Sequence, residues 1–188
     1  VAPTALPERT LPSLPSLLSN TLAKGEAWPA TNRELNFRLT ARDGKGGVSS
    51  DDMKIQVVNT GKAFALTSPL VTPLVAGQTQ TIDWDVAGTN AAPINCSKVD
   101  LYMTRDEGVN WTLLAGGQPN SGSASVTIPA GSDGTARLKV ACSDNLFFAI
   151  SPLKLSVTQR VEGGGGGGGA LGFWTLALAL LGWQRRRA

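Results

Sequence analysis

The sequence predicts an all-β protein in which a complete β-sandwich follows a partial one, with a C-terminal apolar helix behind a polyglycine linker. Three observations carry this expectation. Apolar and polar residues alternate with period two from Glu34 to Arg42. Residues 63–159 contain short apolar segments separated by turn residues and show no helical periodicity. The last 27 residues, 162–188, run from glycine to apolar to arginine in three consecutive blocks.

Residues 1–32 read as a Pro-rich linker or partial domain. Pro3, Pro7, Pro12, Pro15 and Pro29 are interleaved with Leu and Ser. Each removes a backbone donor and biases its predecessor to extended geometry, so no long helix fits residues 1–16. A short helical turn over 16–24 is the one helical element expected there.

Residues 33–60 read as a closing hairpin. Leu35, Phe37, Leu39 and Ala41 face one way, and Glu34, Asn36, Arg38, Thr40 and Arg42 the other. Turn chemistry follows in Asp43, Gly44, Lys45, Gly46 and Gly47. A second strand then sets Met53, Ile55 and Val57 against Lys54 and Gln56. Two strands bury too little to stand alone, so the hairpin is expected to end a sandwich whose earlier strands precede Val1. Val1 is not a methionine and no export signal leads it, which predicts a fragment or partial gene product.

After a polar link at 59–62, residues 63–159 carry seven apolar segments: 64–67, 79–86, 98–104, 111–114, 124–128, 135–141 and 153–158. Turn clusters such as 87–90, 120–122 and 132–134 divide them. Seven short strands in about 97 residues are the signature of an Ig-like β-sandwich. Alternation predicts one core from Ile82, Trp84 and Val86, from Val99, Leu101 and Met103, from Val126 and Ile128, and from Leu138 and Val140. Residues 160–169 form the polyglycine linker and 170–188 the membrane or sorting helix with its arginine tail.

Composition narrows the function. The net charge is +3, from 17 basic and 14 acidic residues, and Arg185, Arg186 and Arg187 account for all of it. The body is neutral, which argues against nucleic-acid binding. There is no histidine, so a His-rich zinc site, a Ser-His-Asp triad and a Cys-His pair are excluded within these residues. No catalytic residue and no metal site is assigned, and the chain is read as non-enzymatic, with calcium the one candidate cofactor.

Cys96 and Cys142 are the only cysteines. An even pair beside an export-type tail points to one disulfide in an oxidising compartment, two buried thiols being the alternative. Cys96 precedes one expected strand and Cys142 ends another, so the bridge would tie strand ends and leave the core uncrossed. Asp83 and Asp85 lie on one face of a strand, where paired carboxylates serve glycosidases. With Trp84 turned inward, these two are expected to face water. Asp43, Asp51, Asp52, Asp144 and Asn145 are loop oxygen donors of the type calcium takes, without EF-hand or glycine-aspartate repeat spacing.

Thr104, Asp106, Gly108 and Trp111 have the spacing of an Asp-box. The pattern resembles the repeated hairpin of sialidase propellers, where the aspartate caps the turn and the aromatic packs beneath. A propeller needs repetition, and one copy stands here, so it reads as a structural turn with Trp111 buried under it. The stretch Leu35 to Gly44 with Gly46 to Met53 resembles the closing hairpin of bacterial Ig-like or cadherin-like surface domains. More narrowly, it is similar to the region after the catalytic domain in secreted reprolysin-like zinc metallopeptidases of Gram-negative bacteria. The resemblance implies an exported metallopeptidase parent, and a surface adhesin with Ig-like repeats is the competing class.

The tail opens with Gly163, Gly164, Gly165, Gly166, Gly167, Gly168 and Gly169. An apolar run of 14 residues follows, 170–183, including Ala170, Leu171, Phe173, Trp174, Leu176, Leu178, Leu180, Leu181 and Trp183. As a helix it spans about 21 Å, against a hydrocarbon core of about 30 Å. With the glycines it reaches about 31 Å, at a helix cost of up to about 7 kcal/mol relative to alanine. Such a helix frays at its outer end. Arg185 to Arg187 supply the stop-transfer charge and set the C-terminus on the cytoplasmic side. A simple tail anchor would use the apolar run and the arginines and leave the glycines without a purpose. The layout resembles the GlyGly-CTERM sorting signal. That resemblance implies a temporary inner-membrane intermediate, cleavage within 163–169 by a rhombosortase-type intramembrane protease, and delivery to the cell surface or medium with the type II secretion machinery.

Overall fold

The computed structural model describes residues 10–28, 30–69 and 73–159. Among the described residues one short helix, α1 (Leu14–Ser19), is followed by eleven strands. β1 (Arg33–Arg42) and β2 (Val48–Val57) come first, then β3 (Ala65–Ser68), β4 (Leu74–Val75), β5 (Thr79–Asp85) and β6 (Lys98–Thr104). β7 (Thr112–Pro119), β8 (Ser123–Thr127), β9 (Asp133–Cys142), β10 (Phe148–Ile150) and β11 (Leu155–Thr158) complete the chain order.

The all-β expectation holds for the described residues, and the order of strands explains how one core serves two sheets. The larger sheet runs β4-β11-β9-β6-β7, with β10 paired to β9, and the smaller runs β3-β5-β8. Strand β9 is long enough to hold two short neighbours on one edge. Ala136 meets Leu155 of β11 near its start, and Ala141 meets Phe148 of β10 near its end. Alternation then turns Ile82, Trp84 and Val126 of the smaller sheet toward Val99, Leu101, Met103, Leu138 and Val140 of the larger, all buried in a single cluster. Val86, expected with Ile82 and Trp84, is only half-buried. The strand stops at Asp85, whose carboxylate accepts the Ala87 N–H at 2.9 Å, and Ala87 takes a left-handed φ of 52°.

The strand that departs most from expectation is β7. The sequence places its end at Leu114, short of Gly116 and Gly117. The sheet instead absorbs them at a bulge, where the register to β6 shifts between Val99 and Leu101. Gly117 takes a φ of +62°, and its N–H donates to the Asp100 carboxylate at 2.7 Å. Strands β4 and β10, of two and three residues, are too short for a period to register and have no counterpart in the sequence reading.

The β1–β2 ribbon pairs with itself from Arg33↔Val57 to Arg42↔Val48 and with no third strand among the described residues. Its second strand starts five residues before the Met53 expected from sequence, since Ser49 to Asp52 complete the ladder despite their polarity. Asp43 closes the turn by accepting the N–H groups of Lys45 (2.7 Å) and Gly47 (2.9 Å) through Oδ1. The base is tied off as well: Asn59 donates its N–H to Asn32 Oδ1 and its Nδ2–H to the Ala30 carbonyl.

Residues 10–28 form a strap laid against the sandwich. Helix α1 begins two residues before the turn expected at 16–24 and ends at Ser19, where Asn20 adopts the left-handed conformation (φ 52°) suited to a helix C-cap. Pro15 sits in the first turn, where its missing donor is harmless. Glu26 closes the strap on itself, accepting the Ser13 N–H (3.0 Å) and the hydroxyls of Ser13 (3.1 Å) and Ser16 (2.7 Å).

Candidate functional site

The two cysteines form a disulfide, with Cα atoms 6.1 Å apart. Cys142 ends β9 directly opposite Val99 of β6, so the bridge joins the ends of adjacent strands in one sheet and leaves the core between the sheets uncrossed. Both half-cystines are buried. Among the described residues the one cluster of potential metal ligands is Cys96, Cys142 and Asp144, and its sulfurs are bonded to each other. Of the donors expected in loops, Asp51 and Asp52 lie instead within β2, because the ladder with β1 runs on through them, and Asp52 is held by Arg38 at 2.6 Å; Asp43 caps its own turn, and Asp144 stands beside the disulfide.

The Asp-box residues build the β6–β7 turn. Thr104, almost fully buried, accepts the N–H groups of Asp106 (3.3 Å) and Gly108 (3.0 Å) and donates its hydroxyl to Asp106 Oδ1 at 2.7 Å. Asp106 in turn accepts the backbone and side-chain N–H groups of Asn110 at 2.9 and 2.7 Å. These donors stabilise the carboxylate and lower its pKa, the Asn110 backbone bond most of all. Gly108 needs its φ of +83°, and a Cβ there would meet Leu14 of the strap at 3.0 Å. Trp111 differs from expectation: it is half-buried, not enclosed under the turn. One ring atom lies beside Gly108, and the Lys139 ammonium sits 4.3 Å from the ring centre.

That lysine marks a feature with no trace in the sequence reading. Lys139 of β9 lies directly opposite Tyr102 of β6. Its ammonium lies over three aromatic rings, Trp111 (4.3 Å), Tyr102 (4.7 Å) and Phe148 (5.9 Å). The signal lay in strand register, which alternation within single strands does not reveal. The Tyr102 phenol is pushed above its ordinary pKa by burial first, then by the negative charge of Asp100 and a hydrogen bond to it. The aromatic cradle is thus filled by a cation of the chain itself, an arrangement that fixes the outer surface of the larger sheet.

Asp83 and Asp85 are each half-buried beside an inward Trp84, so they are less exposed than expected. Asp85 pairs with Lys62 at 3.3 Å and caps Ala87, and these contacts hold its pKa down, the Ala87 bond foremost. A carboxylate fixed in this way is a poor proton donor near neutral pH.

Two further polar side chains escaped the sequence reading. Asn120 is buried and links three segments: it accepts the Trp84 indole N–H (2.9 Å) and donates to Thr89 Oγ1 and to the Cys96 carbonyl (both 3.0 Å). Arg137 is 4% exposed and donates to the carbonyls of Ser151 (2.7 Å) and Leu18 (2.8 Å).

The glycine block at 163–169, the apolar run at 170–183 and Arg185, Arg186 and Arg187 lie outside the described residues. Among the described residues no helix is long and apolar enough to cross a membrane. No protein-family model and no curated protein matches the chain.

Proposed function

We propose that this chain is a non-catalytic part of an exported bacterial protein, in which an Ig-like spacer is followed by a GlyGly-CTERM-type sorting tail. The observation that carries the reading is the order of the tail: seven glycines, 14 apolar residues, then three arginines after Gln184. The apolar run inserts, the arginines hold the cytoplasmic end, and the glycines leave the outer end weak enough to unwind toward an intramembrane protease. The Cys96–Cys142 bridge supports an oxidising destination.

The Ig-like reading is supported by strand order. β3-β5-β8 matches the A-B-E side of such a sandwich, and β11-β9-β6-β7 the G-F-C-C′ side. The disulfide does not follow the antibody pattern, since that one crosses between sheets and this one stays within a sheet. In the parent protein, a metallopeptidase on the hairpin resemblance, the sandwich separates the active part from the membrane until release.

The test replaces residues 163–169 with alanine in the chain carrying an N-terminal export signal, expressed in a host with type II secretion and a rhombosortase. The expected outcome is retention in the inner membrane with loss of surface delivery. Delivery unchanged from wild type overturns the reading.

A further inference from the structure

We propose that the β1–β2 ribbon is a dimerisation arm, through which two copies of this chain stack apolar face to apolar face. The register places Leu35, Phe37 and Leu39 with Met53 and Ile55 on one side of the ribbon. None of these belongs to the core of the sandwich, and Leu39 and Met53 are 75% and 50% exposed. A two-stranded ribbon of this length does not persist in water with its apolar side uncovered.

The charges on the two sides identify the occupant. On the polar side Arg38 is paired with Asp52 (2.6 Å) and Lys54 with Glu34 (3.1 Å), and Arg42 beside the turn stands outside these pairs. The apolar side carries two charges, Arg33 level with Val57 at the base and Asp51 level with Leu39 toward the tip. Neither enters an ion pair among the described residues. Opposite charges at diagonal corners of one apolar face make that face complementary to itself. A two-fold axis between the stacked ribbons, crossing the strands midway between the Leu35–Ile55 and Phe37–Met53 pairs, superposes base on tip. Leu35 and Ile55 then meet Phe37 and Met53 of the second copy across about 10 Å, the normal spacing of packed sheets. Arg33 of each copy comes diagonally opposite Asp51 of the other, twice by symmetry. At the base of the arm a cleft of mixed polar and apolar lining, with Lys54 and Ile55 on one side and Ile94, Asn145 and Leu146 on the other, separates the ribbon from the sandwich.

The test is sedimentation of the full chain in a density-matched non-ionic detergent. The expected result is a dimer that Arg33→Glu or Asp51→Arg each weakens about tenfold or more, because like charges then face each other. The double variant R33E/D51R restores the pair with reversed sign and recovers wild-type association. Intrinsic tryptophan fluorescence checks that the sandwich stays folded in each variant. A monomeric wild type overturns the proposal, as when other strands cover the arm. So does a dimer indifferent to both single changes, the behaviour of association through the tail, or a double variant that fails to recover.

Discussion

Arg137 and Leu18 stand 119 residues apart and are joined by a hydrogen bond of 2.8 Å from the guanidinium to the backbone carbonyl. Leu18 lies in the last turn of α1, where carbonyls lack helical partners and the helix dipole is negative, so a cation there is doubly favoured. The other arm of the guanidinium is spent on Ser151, and Nε has no partner. Arg137 is therefore the polar link between strap and sandwich. Arg137→Met keeps most of the volume and removes both bonds, leaving two carbonyls to find water. The expected loss is about 2–3 kcal/mol in urea denaturation, with faster amide exchange across 13–23 and little change in the core strands. A loss under about 0.5 kcal/mol, the range of an ordinary surface substitution, would mean that Leu14 packing against the β6–β7 turn holds the strap by itself.

Asn120 is the second buried polar link, and its failure should look different. Asn120→Ala leaves the Trp84 indole N–H, the Thr89 hydroxyl and the Cys96 carbonyl without their partner at once. A network of this kind loses more than one bond's share, about 2–4 kcal/mol. Trp84 is 3% exposed, so its emission should shift to the red as water enters to solvate the orphaned N–H. Asn120→Asp separates donor from acceptor roles, since the carboxylate still accepts from Trp84 but faces the Cys96 carbonyl without a proton to give. It should recover little of the loss.

The core was legible in the sequence because it depends on alternation alone. Leu101, Leu138 and Val140 are each no more than 1% exposed, and their strands show the pattern without help from neighbours. The β6–β7 turn was legible because Thr104, Asp106 and Gly108 act within four residues. What was hidden depends on pairing between distant strands. Lys139 meets its three rings only once β9 lies beside β6 and β10, and Arg137 meets Leu18 only once the strap folds back. The extension of β7 past Leu114 was hidden for the same reason: Gly117 in its bulge donates to Asp100 on the neighbouring strand. Neither the arm's self-complementary charges nor its uncovered face is a property of one strand, and both needed the register of β1 against β2.

The turn also makes a pH prediction. Hydrogen bonds from Asn110, then from Thr104, hold the Asp106 carboxyl below its usual range. A folded pKa below the unfolded value of about 3.9 means that the contribution is fully present above that value and lost as pH falls through the folded one. At neutral pH the turn should therefore be insensitive to small pH changes. Following the Asn110 amide by NMR from pH 5 to pH 2 should show its midpoint below 3.9, and Asp106→Asn should abolish that titration while leaving the amide dispersion of the core strands intact. A midpoint at or above the unfolded value would mean that the donors to Asp106 are replaced by water in solution.

The disulfide lends itself to a cleaner measurement, because its two ends are already held by backbone bonds, Cys142 in the sheet and Cys96 through its N–H to the Thr89 carbonyl at 2.9 Å. Val99 pairs with Cys142 across the β6–β9 ladder, so the native geometry survives without the bond and the bridge acts mainly on the unfolded chain. Its sequence separation of 46 residues corresponds to a loop-closure contribution of about 4 kcal/mol at most. Replacing both cysteines with alanine should cost about 2–4 kcal/mol in equilibrium unfolding, chiefly through faster folding of the oxidised chain or slower unfolding according to when the ends meet. With Cys96 at 0% and Cys142 at 6% exposure, a thiol reductant should act slowly on the native protein and quickly in urea. Rapid reduction without denaturant would show instead that the ends of β6 and β9 open on their own, and the stability loss in the double alanine variant should then fall well short of the loop-closure value.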